Sequence, residues 1–100
     1  MNRFAEPFGL ARFKLVKDVP EAGFIELERP IREILKAQPG FIDRALAKGE
    51  DGQFLVTLTW SSRLNGAAWT EASRGFEVLV RQHGMIDFST MRMEFFETIL

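Results

Sequence analysis

Asn65 and Trp69 stand four residues apart in the stretch TWSSRLNGAAWTEA, Thr59 to Ala72. On an α-helix that spacing is about 40° of rotation, so the two side chains would project side by side. An asparagine amide can donate to a ring carbonyl that becomes an enolate, and an indole N–H can donate beside it while its ring stacks on a planar molecule. Donors held in place stabilise the charge that develops when a substrate proton leaves, and the carbanion-like species so formed can reduce dioxygen directly. The same residues admit a plainer reading. Asn-Gly is a turn dipeptide, Asn65 then caps a helix starting at Gly66, and Trp69 belongs to the core.

Other side chains can be placed around this pair. Trp60 ends an apolar strand face, where packing is its first expected role and a pocket edge its second. Phe76 follows Trp69 and Ala72 on one helical side, towards which Asn65 would also point. His83 lies one turn past Val80, near a helix C-terminus whose dipole favours a cation, so a capping or pocket-rim role is expected. It is the single histidine of the chain. A two-histidine iron site therefore cannot be assembled within one subunit, no ordered carboxylate cluster replaces it, and no metal is expected. Glu28 with Arg32 and Arg29 with Glu33 have the spacing of helix-surface ion pairs, which carry no functional message.

Composition removes several function classes. Thirteen Lys plus Arg against fourteen Asp plus Glu give a formal net charge of −1. No basic field exists to draw in a phosphate backbone, and nucleic acid is not an expected partner. The glycines form neither a phosphate loop nor a dinucleotide fingerprint, and the strand FLVTLTW lacks the basic and glycine pattern of RNA-binding strands. Without cysteine there are no disulfides, thiolate nucleophiles or iron–sulfur clusters, and a reducing cytoplasmic setting fits. Charges interrupt MNRFAEPFGLARFKLVKD every few residues, so neither a signal peptide nor a membrane span is expected there.

With 100 residues, 46% of them hydrophobic and ten phenylalanines, the chain suffices for one compact domain, expected over 1–100. Pro7 to Lys17 alternates, with Ala11, Phe13 and Leu15 on one face and Arg12 and Lys14 on the other, and predicts a first strand. A helix follows, with Asp18 as a candidate cap and Phe24, Leu27, Ile31, Ile34 and Leu35 at helical spacing, ending near Gln38. Pro30 falls inside it and predicts a break near Arg29, or a restart with proline in a first turn. QPGF is a turn, Phe41 to Lys48 alternates weakly, and GEDG closes a hairpin onto QFLVTLTW, whose Phe54, Val56, Leu58 and Trp60 share a face. A second helix is predicted over 63–82, closed by Gly84. DFSTMRMEFFETIL predicts the last strand.

The order strand, helix, strand, strand, helix, strand is the split βαβ pattern of an α+β, ferredoxin-like fold: a four-stranded antiparallel sheet with two helices on one face. Its bare face would carry Arg12, Lys14, Thr57, Thr59, Arg92 and Glu94 beside Leu10, Val16, Leu55 and Phe96.

With QPGF before the second strand and LTWSS leading into the second helix, this layout resembles the antibiotic biosynthesis monooxygenase domain of the dimeric α/β barrel superfamily, over nearly the whole chain. Pro39, Gly40 and Trp60 stand at the family's motif positions. The resemblance implies a homodimer whose bare sheet faces pack together, and a pocket in each subunit between helices and sheet. In one branch, which oxygenates phenolic or anthrone-like rings without metal or flavin, an asparagine and a tryptophan four apart on the second helix do the chemistry and a basic residue on the last strand assists. Asn65 and Trp69 match the pair, and Arg92 is the nearest candidate for the third. The haem-degrading branch wants an asparagine on the first strand and a histidine about ten residues after the tryptophan. Here GLARFKLVK has no asparagine and the second position is Leu79, so haem degradation is disfavoured. What the resemblance implies is a cofactor-independent monooxygenase acting on a planar aromatic, phenolic or quinol-type small molecule, with Trp60, Phe76 and His83 around its pocket. The alternative is a binding or stress-associated barrel protein with the same pocket and no turnover.

Overall fold

The structure, a computed structural model, describes residues 6–99. Residues 1–5, which open the charged N-terminal stretch, and Leu100, the end of the last expected strand, lie outside the described residues. The elements are β1 (Pro7–Leu15), α1 (Glu21–Glu26), α2 (Glu28–Lys36), β2 (Phe41–Lys48), β3 (Phe54–Trp60), α3 (Arg63–Ala72), a short 3₁₀ turn (Ser73–Gly75), α4 (Glu77–His83) and β4 (Ile86–Glu97). The strands form one antiparallel sheet in the order β2-β3-β1-β4. This is the α+β, ferredoxin-like architecture that the alternation pattern predicts.

Period-2 alternation puts Ala11, Phe13, Leu46, Phe54, Val56, Leu58 and Trp60 on the face the helices cover. Two clusters fill the space between. One joins Phe13, Phe54 and Ile86 to Phe24 of α1. The other joins Leu27, Ile31 and Leu35 to Trp60, Trp69 and Leu79. Phe24, Ile31 and Leu35 are completely buried, which makes the inner face of α1 and α2 the main anchor of the helical layer. The opposite sheet face carries Arg12, Leu55, Thr57, Arg92 and Glu94, as the strand phases predict, because Arg12 pairs with both Leu55 and Arg92.

The first helical segment divides at Leu27, close to the break expected near Arg29, and α2 restarts with Pro30 in its first turn as expected, where its missing N–H is harmless. Three features differ from the sequence expectation. Asp18 does not cap α1. Pro20 holds that position, and Asp18 adopts a positive φ of 69° in the turn before it. The second helical segment is not continuous: Gly75, a weak helix former, ends a 3₁₀ turn, and Phe76 is extended before α4 begins at Glu77. Gly84 follows α4 with right-handed dihedrals rather than the left-handed cap expected of a closing glycine.

Candidate functional site

The start of α3 determines what Asn65 can do. Ser62 is the N-cap: it is extended at φ −154° and ψ 161°, and its Oγ accepts the Asn65 backbone N–H at 3.1 Å. The helix therefore begins at Arg63, and Asn65 lies within its first turn instead of capping it. The Asn65 side chain is held at one end. Its Oδ1 accepts from Ser62 Oγ at 2.6 Å and from Ser61 Oγ at 3.2 Å. Asn65 Nδ2 makes no hydrogen bond with a described residue.

Two glycines make this arrangement sterically possible. Gly40 has a φ of 77°, and a β-carbon on it would stand 2.4 Å from Asn65 Cγ and 2.6 Å from both Asn65 Oδ1 and Ser61 Oγ. Its carbonyl also accepts the Ser61 N–H at 2.8 Å, so the turn before β2 and the end of β3 are tied together under the asparagine. Gly66, which the Asn-Gly dipeptide suggested as a turn, is helical. A β-carbon there would lie 3.2 Å from Trp60 Cδ1, so the residue lets α3 settle on the indole.

The aromatic residues form a row behind Asn65. Phe41 meets Trp60 edge to face, Trp60 and Trp69 have centroids 6.0 Å apart, and Phe76 stacks on Trp69 at 6.0 Å and 25°. Trp60 and Trp69 are both buried. A cavity of roughly 100 Å³ opens between α3 and the end of α2, lined by Gln38, Pro39, Trp60, Asn65, Ala68, Trp69 and Ala72. Asn65, Trp69 and Trp60 thus meet at one cavity, and Phe76 supports it from behind. Gln38, Pro39 and Ala68 were not expected at the site, whereas Ala72 lies on the helical side expected to face it. The QPGF turn and the one-turn spacing of Ala68 from Asn65 were the signals available for the first three. A second, more open depression of roughly 250 Å³ lies at the β2–β3 hairpin beside Arg12 and Lys48, away from this pair.

Two expected residues are elsewhere. Arg92 pairs with Arg12 on the bare sheet face, so within one chain the sheet separates it from the Asn65–Trp69 cavity. His83 packs edge to face on Phe88 at 6.3 Å and does not line the cavity. The direction of its pKa shift is also opposite to the dipole expectation. Partial burial lowers the pKa of the ring below the usual histidine value, and the nearby Arg44 charge lowers it further.

Arg44 belongs to a buried polar cluster that local spacing conceals. Arg44 Nε and Nη2 donate to the two Glu28 carboxylate oxygens at 3.0 and 2.6 Å, and Gln82 Nε2 donates to Glu28 Oε1 at 2.9 Å. Glu28, Arg44 and Gln82 are all buried. The expected Glu28–Arg32 pair is present at 3.7 Å, but its carboxylate is buried and is held mainly by Arg44 and Gln82 rather than lying on the helix surface. Glu33 pairs with Lys36 rather than with Arg29. Burial pushes the Glu28 carboxyl up, but the Arg44 hydrogen bond and charge, the Gln82 amide and Arg32 together outweigh it and hold the pKa below the usual value. The cluster joins α2, β2 and α4, and so fixes the layer that backs Trp69 and Leu79.

No protein-family model matches the chain, and no curated protein matches it. Solved structures match it along almost its full length. SnoaB, a cofactor-independent oxygenase from Streptomyces nogalater, superposes with a TM-score of 0.76 at 17% identity, covering 96% of this chain and 95% of that one. The fold is that of the antibiotic biosynthesis monooxygenases. A candidate antibiotic biosynthesis monooxygenase from Bordetella bronchiseptica gives 0.76 at 15% identity, over 96% of this chain and 99% of its own. A conserved protein from Methanosarcina mazei Go1 gives 0.77 at 10% identity, over 94% and 93%. At these identities the likeness is one of fold, and chemistry has to be argued from the site.

Proposed function

We propose that this chain is a monooxygenase that acts without metal or flavin on a planar phenolic or quinol-type molecule, with Asn65 and Trp69 as the residues that bind and polarise it. The observation that carries the proposal is the state of the Asn65 amide. Its oxygen is occupied by two serine hydroxyls while its nitrogen has no partner among the described residues, beside a buried indole in a largely apolar cavity. Donors in such surroundings favour an oxygen that gains negative charge.

In the reaction that fits this geometry, a phenol bound against Trp69 directs its oxygen at Asn65 Nδ2. Loss of the phenolic proton leaves a phenolate whose charge is shared between that oxygen and the ring carbon opposite. Transfer of electrons from that carbon to dioxygen and formation of a C–O bond there give, after loss of the ring hydrogen, a quinone. One oxygen atom of O₂ is retained and the other leaves as water with the two hydrogens. None of the cavity-lining residues is a carboxylate or a histidine, so the phenolic proton leaves to solvent and the residues act by lowering the energy of the anion. SnoaB is described as a cofactor-independent oxygenase and is also known as an asparagine-to-alanine variant, which supports looking for the same chemistry here.

The cavity is smaller than the roughly 150 Å³ known to accept benzene in an apolar interior. A ring enters by displacing the Gln38 side chain, which is held by a single 3.2 Å bond to the Ile34 carbonyl. A homodimer in the cytoplasm completes the proposal. The bare sheet face exposes Phe96, stacked on Phe8 at 5.2 Å, apolar surface that a second copy would cover. A concentration-independent monomer mass by light scattering would contradict that element.

The competing reading, a barrel protein that binds aromatic ligands without turnover, draws on the absence of a base among the lining residues. Oxygen uptake with a panel of phenols and hydroquinones separates the two. The proposal expects uptake that falls by about 10²–10³ in Asn65→Ala. Binding without uptake for every compound would favour the alternative, and uptake unaffected by the substitution would remove Asn65 from the mechanism.

A further inference from the structure

The cavity presents Asn65 in one rotational state of its amide, and the residues that impose this state are outside the cavity lining. Ser62 Oγ accepts the Asn65 backbone N–H at 3.1 Å, so its own hydrogen is free to point at the side chain. The contact it makes there is 2.6 Å, short for an N–H donor and ordinary for a hydroxyl giving to an oxygen. Ser61 Oγ gives a second bond to the same atom at 3.2 Å. Gly40 closes the third side, since any β-carbon would occupy the space of Asn65 Cγ and Oδ1. Exchanging the two ends of the amide would require both serine hydroxyls to turn from donors into acceptors, and Ser62 Oγ already accepts the Asn65 backbone N–H.

We infer that Gly40, Ser61 and Ser62 are positioning residues that hold the Asn65 amide nitrogen toward the cavity, so that the ligand group recognised there must be a hydrogen-bond acceptor, an ionised phenolic or carbonyl oxygen, and not a hydroxyl donor. This rests on the Asn65–Trp69 cavity being the binding site proposed above. It adds a specificity rule. Of two forms of one phenol, the Asn65 amide nitrogen selects the anion, because it can only donate and a donated hydrogen bond is stronger to a charged oxygen. The selection resides in the serines and the glycine as much as in the asparagine, since an amide free to rotate would offer its oxygen to the neutral phenol equally well.

The test is calorimetric titration of the whole chain with 4-nitrophenol, which ionises near neutral pH, across the pH range of that ionisation. Wild type is expected to bind the ionised form about tenfold more tightly than the neutral form, as hydrogen bonds to a charged oxygen are the stronger ones. Ser62→Thr keeps both the cap and the hydroxyl and should retain this ratio. Ser61→Ala should reduce it, and the double change Ser61→Ala with Ser62→Ala should bring it close to one. The ratio of the two affinities is the informative readout, because loss of the helix cap alone weakens both forms together. Asn65→Asp, which keeps acceptors for both serines but has no N–H, should bind the neutral form better. If Asn65→Ala loses the preference while Ser61→Ala and the double variant keep it, the positioning inference fails and the site stands. If Asn65→Ala binds both forms as wild type does, or wild type does not bind the probe, inference and site fail together.

Discussion

Gly40 and Asn65 occupy complementary space: the glycine lacks the one atom that would collide with the asparagine side chain, at 2.4 Å from its Cγ. The φ of 77° at Gly40 is unfavourable for any residue with a β-carbon, so conformation and contact both demand glycine. Gly40→Ala is expected to cost about 1–3 kcal/mol in urea or thermal unfolding. It should also impair ligand binding more than an equally destabilising change in the core, such as Ile86→Val, because it displaces Asn65. Equal impairment at equal stability would mean that the contact has no part in the site.

The Glu28–Arg44 pair is buried and bidentate. Removing one partner leaves an uncompensated charge, and Arg44→Met or Glu28→Leu alone should destabilise by about 3–5 kcal/mol, whereas the two together should recover much of that loss. Additive losses in the double-mutant cycle would contradict the coupling.

The pH dependence of stability follows from two groups. The Glu28 pKa is lowered on folding, so its contribution is present above the ordinary carboxylate range and is lost as pH falls through the folded value. The His83 pKa is also lowered. Between its ordinary value and the folded one the unfolded chain binds more protons, so stability falls as pH drops below about 6.5. Both act in the same direction at different pH. Thermal melts at pH 7, 6 and 5 should show a decline that His83→Gln reduces in the upper part of this range, and a decline unchanged by the substitution would assign it to other groups.

Arg92 stands across from Arg12 on the sheet face without helices. Arg92→Ala is accordingly expected to leave the affinity of the Asn65–Trp69 cavity for 4-nitrophenol unchanged while altering the salt dependence of self-association measured by light scattering. A large loss of ligand affinity would bring Arg92 to the cavity, through a partner subunit rather than within one chain.

The strands were legible because alternation is a local property: Phe54, Val56, Leu58 and Trp60 do share the covered face. The four-residue spacing of Asn65 and Trp69 was equally local, and both line the cavity. What the sequence concealed was nonlocal. Asn-Gly looked like a turn because nothing nearby indicates that Trp60 needs a bare helix surface at Gly66. Glu28 looked like a surface residue because Arg32 is one turn away, whereas its main partner, Arg44, lies on the next strand. Asn65 could be mistaken for a cap because asparagine is itself a good capping residue, and only the bond from its backbone N–H to Ser62 Oγ shows that the cap lies three residues earlier.

The most direct measurement is the fate of isotopic oxygen when chelator-treated protein turns over a phenol with a free ring position opposite its hydroxyl under ¹⁸O₂, followed by mass spectrometry of the quinone, with Asn65→Ala in parallel. The account predicts one labelled oxygen atom per product molecule, formed at a rate that the chelator leaves unchanged and that the substitution lowers by about 10²–10³. Product carrying no label, turnover that stops with the chelator, or equal rates for the two proteins would contradict it.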